Sequence, residues 1–191
     1  KRAVGVEFLQ NGHKRMVMAN REVILAAGAV EAPKLLEISG IGQGALLQSL
    51  GVELVHEAPM VGENMQDHVM IGVQVRLKED AHSINHRTRG LNLIGEILKY
   101  GFTRKGVLAM SVAHGHAFLK SRQDLATPDI QLHVMAASMD LEALATKQAM
   151  QLEKEPGLAC TPCQMRPESR GSIHARSSDG LANPIIVPNY L

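Results

Sequence analysis

Two cysteines in this sequence have a spacing that is typical of redox or zinc-binding sites. Cys160 and Cys163 are separated by Thr-Pro, which is the spacing of a redox dithiol or of half a zinc knuckle. The sequence has no second cysteine pair, and the pair does not lie at a strand-to-helix junction of the thioredoxin kind. We therefore expect neither redox chemistry nor zinc binding at this pair.

Three histidines suggest a second possibility, a metal-binding cluster. His114 and His116 are two residues apart and would share one face of a strand, and His133 lies on another predicted strand. The sequence pattern places no carboxylate with them, and ligand spacing alone does not complete a coordination shell. We favour ordinary histidines on the face of a sheet and expect no metal site.

A third candidate consists of small residues. In the stretch REVILAAGAVEAPKLLEISGIG, residues 21–42, a continuously apolar strand is predicted over 23–27 and a helix follows it, with Pro33 in the first turn. In an open α/β sheet, ligands bind beyond the carboxyl ends of strands, where the N–H groups of the next helix point. Residues 26–29 occupy that junction. Taken alone, the small side chains are as typical of tight packing as of space for a ligand.

Hydrophobic periodicity predicts the elements that position these residues. Asn11-Gly12 indicates a hairpin turn, and Leu35, Leu36 and Ile38 are predicted as the buried side of the first helix. The further predictions are a short helix over 45–50, a short strand over 52–58, strands within 69–77, 112–119 and 129–136, helices over 91–101 and 140–155, and two extended pieces around Asp179-Gly180.

Composition limits the partners and the compartment. The chain has 191 residues and a formal net charge of +1, so we expect no nucleic-acid partner. No apolar run is long enough to span a membrane, the N-terminus shows no signal sequence, and two cysteines suit a reducing compartment. We therefore expect a cytoplasmic protein. Because both ends fall in strand-like segments, we also expect an internal part of a longer protein.

Several motifs in this sequence resemble those of one enzyme family, the glucose-methanol-choline (GMC) oxidoreductases. GAVEAPKLLEISGIG, residues 28–42, resembles the family's second signature, Gly-Ala-x-x-Ser/Thr-Pro-x-Leu-Leu-x-x-Ser-Gly-Ile-Gly. Ala32 departs from it, since the family has Ser or Thr there. VGENMQDH, residues 61–68, looks like the element Val-Gly-x-Asn-Leu-x-Asp-His. Later blocks follow in family order and resemble the choline-dehydrogenase-like members: GHAFLKS, PDIQLHV, RPESRGSIHARS and NPIIVPNYL.

The resemblance implies a fold that is α/β plus α+β. Residues 1–70 would be the middle section of an FAD-binding, Rossmann-like domain. Residues 71–191 would be part of a substrate-binding domain with an antiparallel sheet and flanking helices.

The resemblance also implies a function, which is the FAD-dependent oxidation of the CH–OH group of a small alcohol by hydride transfer to the flavin. The backbone of Ala27, Gly28 and Ala29 would approach the adenosine side of FAD. The family's catalytic histidine is expected beyond Leu191, and the sequence contains no Gly-x-Gly-x-x-Gly fingerprint. We therefore expect this chain alone to be inactive.

A loop near the flavin is also implied, because Asn64, Asp67 and His68 match the family element. For Asp67 and His68 the alternative is a hydrogen-bonded pair that only fixes the loop. For the whole chain the alternative is a non-catalytic α+β binding or interaction module that retains the GMC fold.

Overall fold

The structure, a computed structural model, describes residues 2–78, 83–111, 113–147 and 151–190. In chain order its elements are β1 (Gly5–Gln10), β2 (His13–Met18), α1 (Gly28–Ile38), β3 (Ile41–Gly42), α2 (Gly44–Ser49), β4 (His56–Glu57), β5 (Val73–Arg76), α3 (Ile84–Arg87), α4 (Gly90–Thr103), a 3₁₀ turn (Val107–Ala109), β6 (Gly115–Leu119), β7 (Ile130–Met135), α5 (Leu141–Lys147), β8 (Gly157–Gln164), β9 (Ser172–His174) and β10 (Ile185–Val187). None of the described helices is long and apolar enough to cross a membrane.

The chain forms two compact units, and they differ from the division expected from the resemblance. The first unit combines Lys1–Asp67 with Glu168–Leu191, and the second is His68–Pro167. We expected all residues after 70 to lie in one domain. The last stretch instead returns to the first unit, because it makes hydrogen bonds with helix α1 and with the loop at residues 61–68. The assignment of a cofactor part and a substrate part stays a prediction.

The first unit begins with the predicted hairpin. Strands β1 and β2 pair antiparallel from Gly5 opposite Met18 to Gln10 opposite His13. The turn between them needs positive φ at both central positions, and Asn11 (φ 52°) and Gly12 (φ 77°) supply it.

The prediction of a strand over residues 23–27 is wrong. The segment has no strand assignment, and Ile24 is 80% exposed. A strand requires a neighbour that accepts and donates its backbone hydrogen bonds, and no part of the chain that the structure describes forms a ladder with this segment. The apolar run therefore reaches helix α1 as an unpaired segment.

Helix α1 differs from the prediction in the side chains that it buries. Leu35, Leu36 and Ile38 are only half-buried, whereas Lys34 and Glu37 are the two residues that the helix buries. Beyond the helix, β3 and β4 pair in parallel and α2 lies between them in sequence. At the end of the chain, β9 and β10 are the two extended pieces predicted around Asp179-Gly180, and the structure pairs them antiparallel.

The second unit contains a four-stranded antiparallel sheet in the order β5-β8-β7-β6. Strands β5, β6 and β7 and helix α4 confirm the predictions for their segments. Strand β8, which carries both cysteines, was not predicted. Of the helix predicted over 140–155, the structure shows only α5. Residues 148–150 lie outside the described residues. Leu152 forms a β-bridge with Met139 and so is not helical.

A buried polar network links the start of α3 to the segments on either side of α5. The side chain of Asn85 is fully buried, and its Nδ2 donates to the carbonyls of Ser138 and Glu153, both at 3.0 Å. Its Oδ1 accepts from the Ser138 N–H at 3.0 Å. Ser83, the N-cap of α3, accepts from the Asn85 N–H. This amide thus connects three segments that are distant in sequence.

Substitution of Asn85 tests this network. Asn85→Ala leaves buried backbone groups of Ser138 and Glu153 without their partner, and we expect the free energy of unfolding to fall by about 3 kcal/mol. Asn92→Ala is the matched control, because Asn92 is exposed and makes one hydrogen bond, to the His86 carbonyl. Urea unfolding measures both. Equal midpoints for the two variants would show that the network contributes nothing.

Candidate functional site

The junction before helix α1 is open. Ala27 is the N-cap residue and makes no side-chain cap, and residues 24–30 are exposed. Gly28 has φ +78°, and a Cβ built there meets no described atom within 4 Å. The first N–H groups of the helix have no side-chain cap from Ala27, and they carry the positive end of the helix dipole. Whether the small residues serve tight packing or leave space for a ligand stays a prediction.

The loop Val61–His68, called the 61–68 loop below, has positive φ at two positions. Gly62 has φ +82° and Asn64 has φ +60°. Asparagine adopts the left-handed region more readily than most residues, so Asn64 has a backbone role in this turn. Its side chain is exposed.

The end of the chain holds the 61–68 loop by backbone hydrogen bonds. Met65 and Gly171 donate to each other's carbonyls at 2.9 Å, and the Ile173 N–H donates to the Gly62 carbonyl at 2.7 Å. A Cβ on Gly62 would lie 2.4 Å from the carbonyl oxygen of Ile173 and 2.6 Å from His174 Nδ1. The contact therefore requires glycine.

His174 joins the 61–68 loop to helix α1 through its ring. Nδ1 lies 2.7 Å from Glu37 Oε1, and Nε2 lies 3.2 Å from Glu63 Oε1. The other Glu37 oxygen, Oε2, accepts from the Ala175 N–H at 2.6 Å, and Gln43 donates to Glu63 Oε1 at 3.2 Å. We call the contact Glu37–His174–Glu63 the histidine bridge.

Lys34 makes a second connection on the same side of α1. Its Nζ donates to the carbonyls of Gly180 and Ala182 at 3.1 and 3.2 Å and forms an ion pair with Glu31. Its side chain is 5% exposed. The charged residues of α1 thus hold both β9 and the turn that follows it.

Asp67 and His68, adjacent in the motif, belong to different compact units. Asp67 accepts a hydrogen bond from the Tyr190 hydroxyl, and His68 Nε2 lies 3.1 Å from the Met165 carbonyl oxygen. Each side chain therefore has a partner that is distant in sequence. Their assignment to cofactor binding stays a prediction.

The cysteines and histidines of the second unit lie on the sheet. Cys160 and Cys163 are three residues apart on β8 and so point to opposite faces. His116 is opposite His133, with ring centroids 4.9 Å apart, and His133 Nε2 lies 3.7 Å from Cys163 Sγ. The described residues contain no group of three or more ligands suited to a metal ion.

Our sequence analysis missed Lys34, Glu37, His174 and Tyr190, which make the contacts described above. Lys34 and Glu37 are three residues apart and so share one side of α1, which was a usable signal. Nothing local in the sequence indicates their partners, because His174 is 137 residues from Glu37.

Comparison with solved structures identifies the class of fold. The chain superposes on the formate oxidase of Aspergillus oryzae with a TM-score of 0.84, over 98% of this chain and 36% of that one, at 22% identity. It superposes on pyridoxine 4-oxidase from Mesorbium loti with a TM-score of 0.70, over 100% and 32% of the two chains, at 21% identity. The fold is that of these oxidases, and the expected fold class is confirmed.

Sequence comparison identifies the family. Residues 1–70 match the family model for GMC oxidoreductase. The whole chain is 36% identical over 190 residues to an uncharacterised GMC-type oxidoreductase of Mycobacterium tuberculosis, and 35% identical over 193 residues to the oxygen-dependent choline dehydrogenase of Serratia proteamaculans. The chain belongs to the GMC oxidoreductase family. Both matches extend along 100% of this chain, but the chain spans only 34% of the length of each relative.

The close approach at Gly62 predicts a cost specific to this position. Gly62→Ala introduces both an unfavourable φ and a clash with Ile173 and His174, whereas Gly51→Ala, at φ +70°, meets no described atom within 4 Å. We expect Gly62→Ala to destabilise the protein by about 1 to 3 kcal/mol more than Gly51→Ala. The measurement is the free energy of unfolding of both variants. Equal losses would mean that the loop moves away at no cost.

The contact between Tyr190 and Asp67 predicts a pH dependence. The hydrogen bond to Asp67, with burial and the negative charge of that carboxylate, raises the pKa of Tyr190 above its usual value of 10.0. A pKa raised on folding means that the contact stabilises the protein fully below pH 10.0 and is lost as the pH rises through the folded-state pKa.

An ultraviolet difference titration against Tyr190→Phe measures this ionisation. We expect the phenol to ionise above pH 10.0, and Asp67→Asn to lower the midpoint because it removes the carboxylate charge. A wild-type midpoint at or below 10.0 would contradict the contact.

Proposed function

We propose that this chain is part of an FAD-dependent oxidoreductase that oxidises the CH–OH group of an alcohol. The observation that carries the proposal is the open, uncapped start of helix α1, which lies within the family signature. The identity of 35% to an oxygen-dependent choline dehydrogenase along the whole chain supports it.

The first residues of α1 would bind FAD through the backbone. Ala27, Gly28 and Ala29 have no side chain larger than a methyl group, so a bulky cofactor can approach their N–H groups. The helix dipole favours a negatively charged or electron-rich group there. The exposure of residues 24–30 fits a bound adenosine moiety.

The 61–68 loop would cover the cofactor nearer the flavin. Asn64 and Asp67 are exposed on a loop that the end of the chain holds in place, and His68 follows directly. Bound FAD would accept a hydride from the alcohol carbon. We assign no residue of this chain as the base that removes the hydroxyl proton, and in this proposal that base lies beyond Leu191.

The second unit would contribute to the substrate side. Its antiparallel sheet corresponds to the substrate-binding part expected from the resemblance. A small-molecule alcohol is the proposed substrate class, and we name no electron acceptor. The expected cytoplasmic location remains part of the proposal, supported by the two free cysteines.

The proposal is tested with the full-length protein purified under native conditions. We expect the visible absorbance of an oxidised flavin and its bleaching by a primary alcohol under anaerobic conditions. A well-folded protein that takes up no FAD would contradict the proposal and favour the non-catalytic module.

Substitution at the helix junction tests the binding site itself. Ala27→Leu places a branched side chain in the open space before α1, and we expect the dissociation constant for FAD to rise at least about tenfold with little change in stability. Ala45→Leu is the control, because Ala45 is exposed at the start of α2. Titration of apoprotein with FAD measures both. Equal affinities would place the cofactor elsewhere.

A further inference from the structure

We propose that His174 is a positioning residue for the cofactor loop, acting through the histidine bridge. The inference rests on the proposed function, because it concerns the loop that would cover FAD. It adds to that function a residue on strand β9, within the block RPESRGSIHARS, that determines where the loop lies.

The carboxylate of Glu37 anchors the bridge. Glu37 has no exposed surface, and both of its oxygens have partners, His174 Nδ1 and the Ala175 N–H. Burial of a charge without partners is very unfavourable. Helix α1 thus provides a fixed acceptor to which the His174 ring must turn.

The second ring nitrogen faces the loop. His174 Nε2 lies 3.2 Å from Glu63 Oε1, and the side chains of His174 and Glu63 are 20% and 35% exposed. Each ring nitrogen of His174 thus has a carboxylate oxygen within hydrogen-bond distance, one on the helix and one on the loop.

The surroundings of the bridge contain few other charges or donors. Gln43, in the segment before α2, donates to the same Glu63 oxygen and to the Pro59 carbonyl, both at 3.2 Å. On α1 the nearest other charge along the buried side is Lys34, which is paired with Glu31 and with the carbonyls of Gly180 and Ala182. The ring of His174 therefore connects the helix and the loop.

The backbone on either side of the bridge makes the arrangement specific. Gly62 lies against the His174 ring and Gly171 pairs with Met65, so the loop meets β9 at two points that flank Glu63. The residues predicted to contact the cofactor, Asn64 and Asp67, follow within four positions. A shift of Glu63 would move them.

The test uses variants of the loop end of the bridge in the full-length protein. Glu63→Ala removes the acceptor for Nε2 and leaves the buried Glu37–His174 pair intact. We expect the dissociation constant for FAD to rise about tenfold, the effect of one lost hydrogen bond to a charged group. Glu63→Gln keeps an acceptor oxygen and should restore most of the affinity. Glu53→Ala is the control for loss of a carboxylate in the same unit.

A second measurement reports the loop itself without any cofactor. Hydrogen–deuterium exchange of apoprotein should be faster in the peptide covering residues 61–68 for Glu63→Ala and His174→Ala, and unchanged in the hairpin at residues 5–18. If the two residues act through one bridge, the double variant should be no worse than His174→Ala alone.

The outcomes separate this inference from the proposed function. Exchange in the loop that is the same in Glu63→Ala and Glu53→Ala overturns the bridge. Faster exchange with unchanged FAD affinity overturns its role in positioning. A wild-type protein that binds no FAD refutes the proposed function, while the exchange data still decide whether the bridge holds the loop.

Discussion

The fully buried carboxylate of Glu37 is the constraint on which the first unit depends. A buried charge persists only where partners surround it, and here the partners are the His174 ring and the Ala175 N–H. Both belong to a segment that follows the whole second unit in sequence. The return of that segment to the first unit supplies both partners of this carboxylate.

In the second unit, a fully buried polar side chain is neutral: that of Asn85. Asn85 is as deeply buried as Glu37, and its neutral amide both donates and accepts, so one side chain satisfies the backbone of Ser138 and the carbonyl of Glu153. In the described residues no buried side-chain nitrogen or oxygen lacks a hydrogen-bond partner. Such networks specify which segments meet, because apolar contact alone would accept many arrangements.

Helix α1 has two ends with different roles in the proposed oxidoreductase. Its first turn is exposed, uncapped and built from small residues, whereas its last turns bind β9 through Glu37 and the 179–182 turn through Lys34. Gly28 and Glu37 are about 13 Å apart along the axis at the rise of an α-helix. The helix thus connects the exposed junction, which is the proposed cofactor surface, to the histidine bridge.

Local patterns in the sequence determined the hairpin at Asn11-Gly12, helix α4, strands β5 to β7 and the order of the family motifs. Periodicity and turn chemistry act over a few residues, so these features need no distant partner. Only the tertiary structure decided that Val23–Ala27 is unpaired, that α1 buries Lys34 and Glu37, and that residues 168–190 join the first unit. The first outcome reflects the lack of a ladder partner among the described residues. The other two depend on hydrogen bonds between residues more than a hundred positions apart, such as Glu37 with His174, and no local pattern encodes such a pairing.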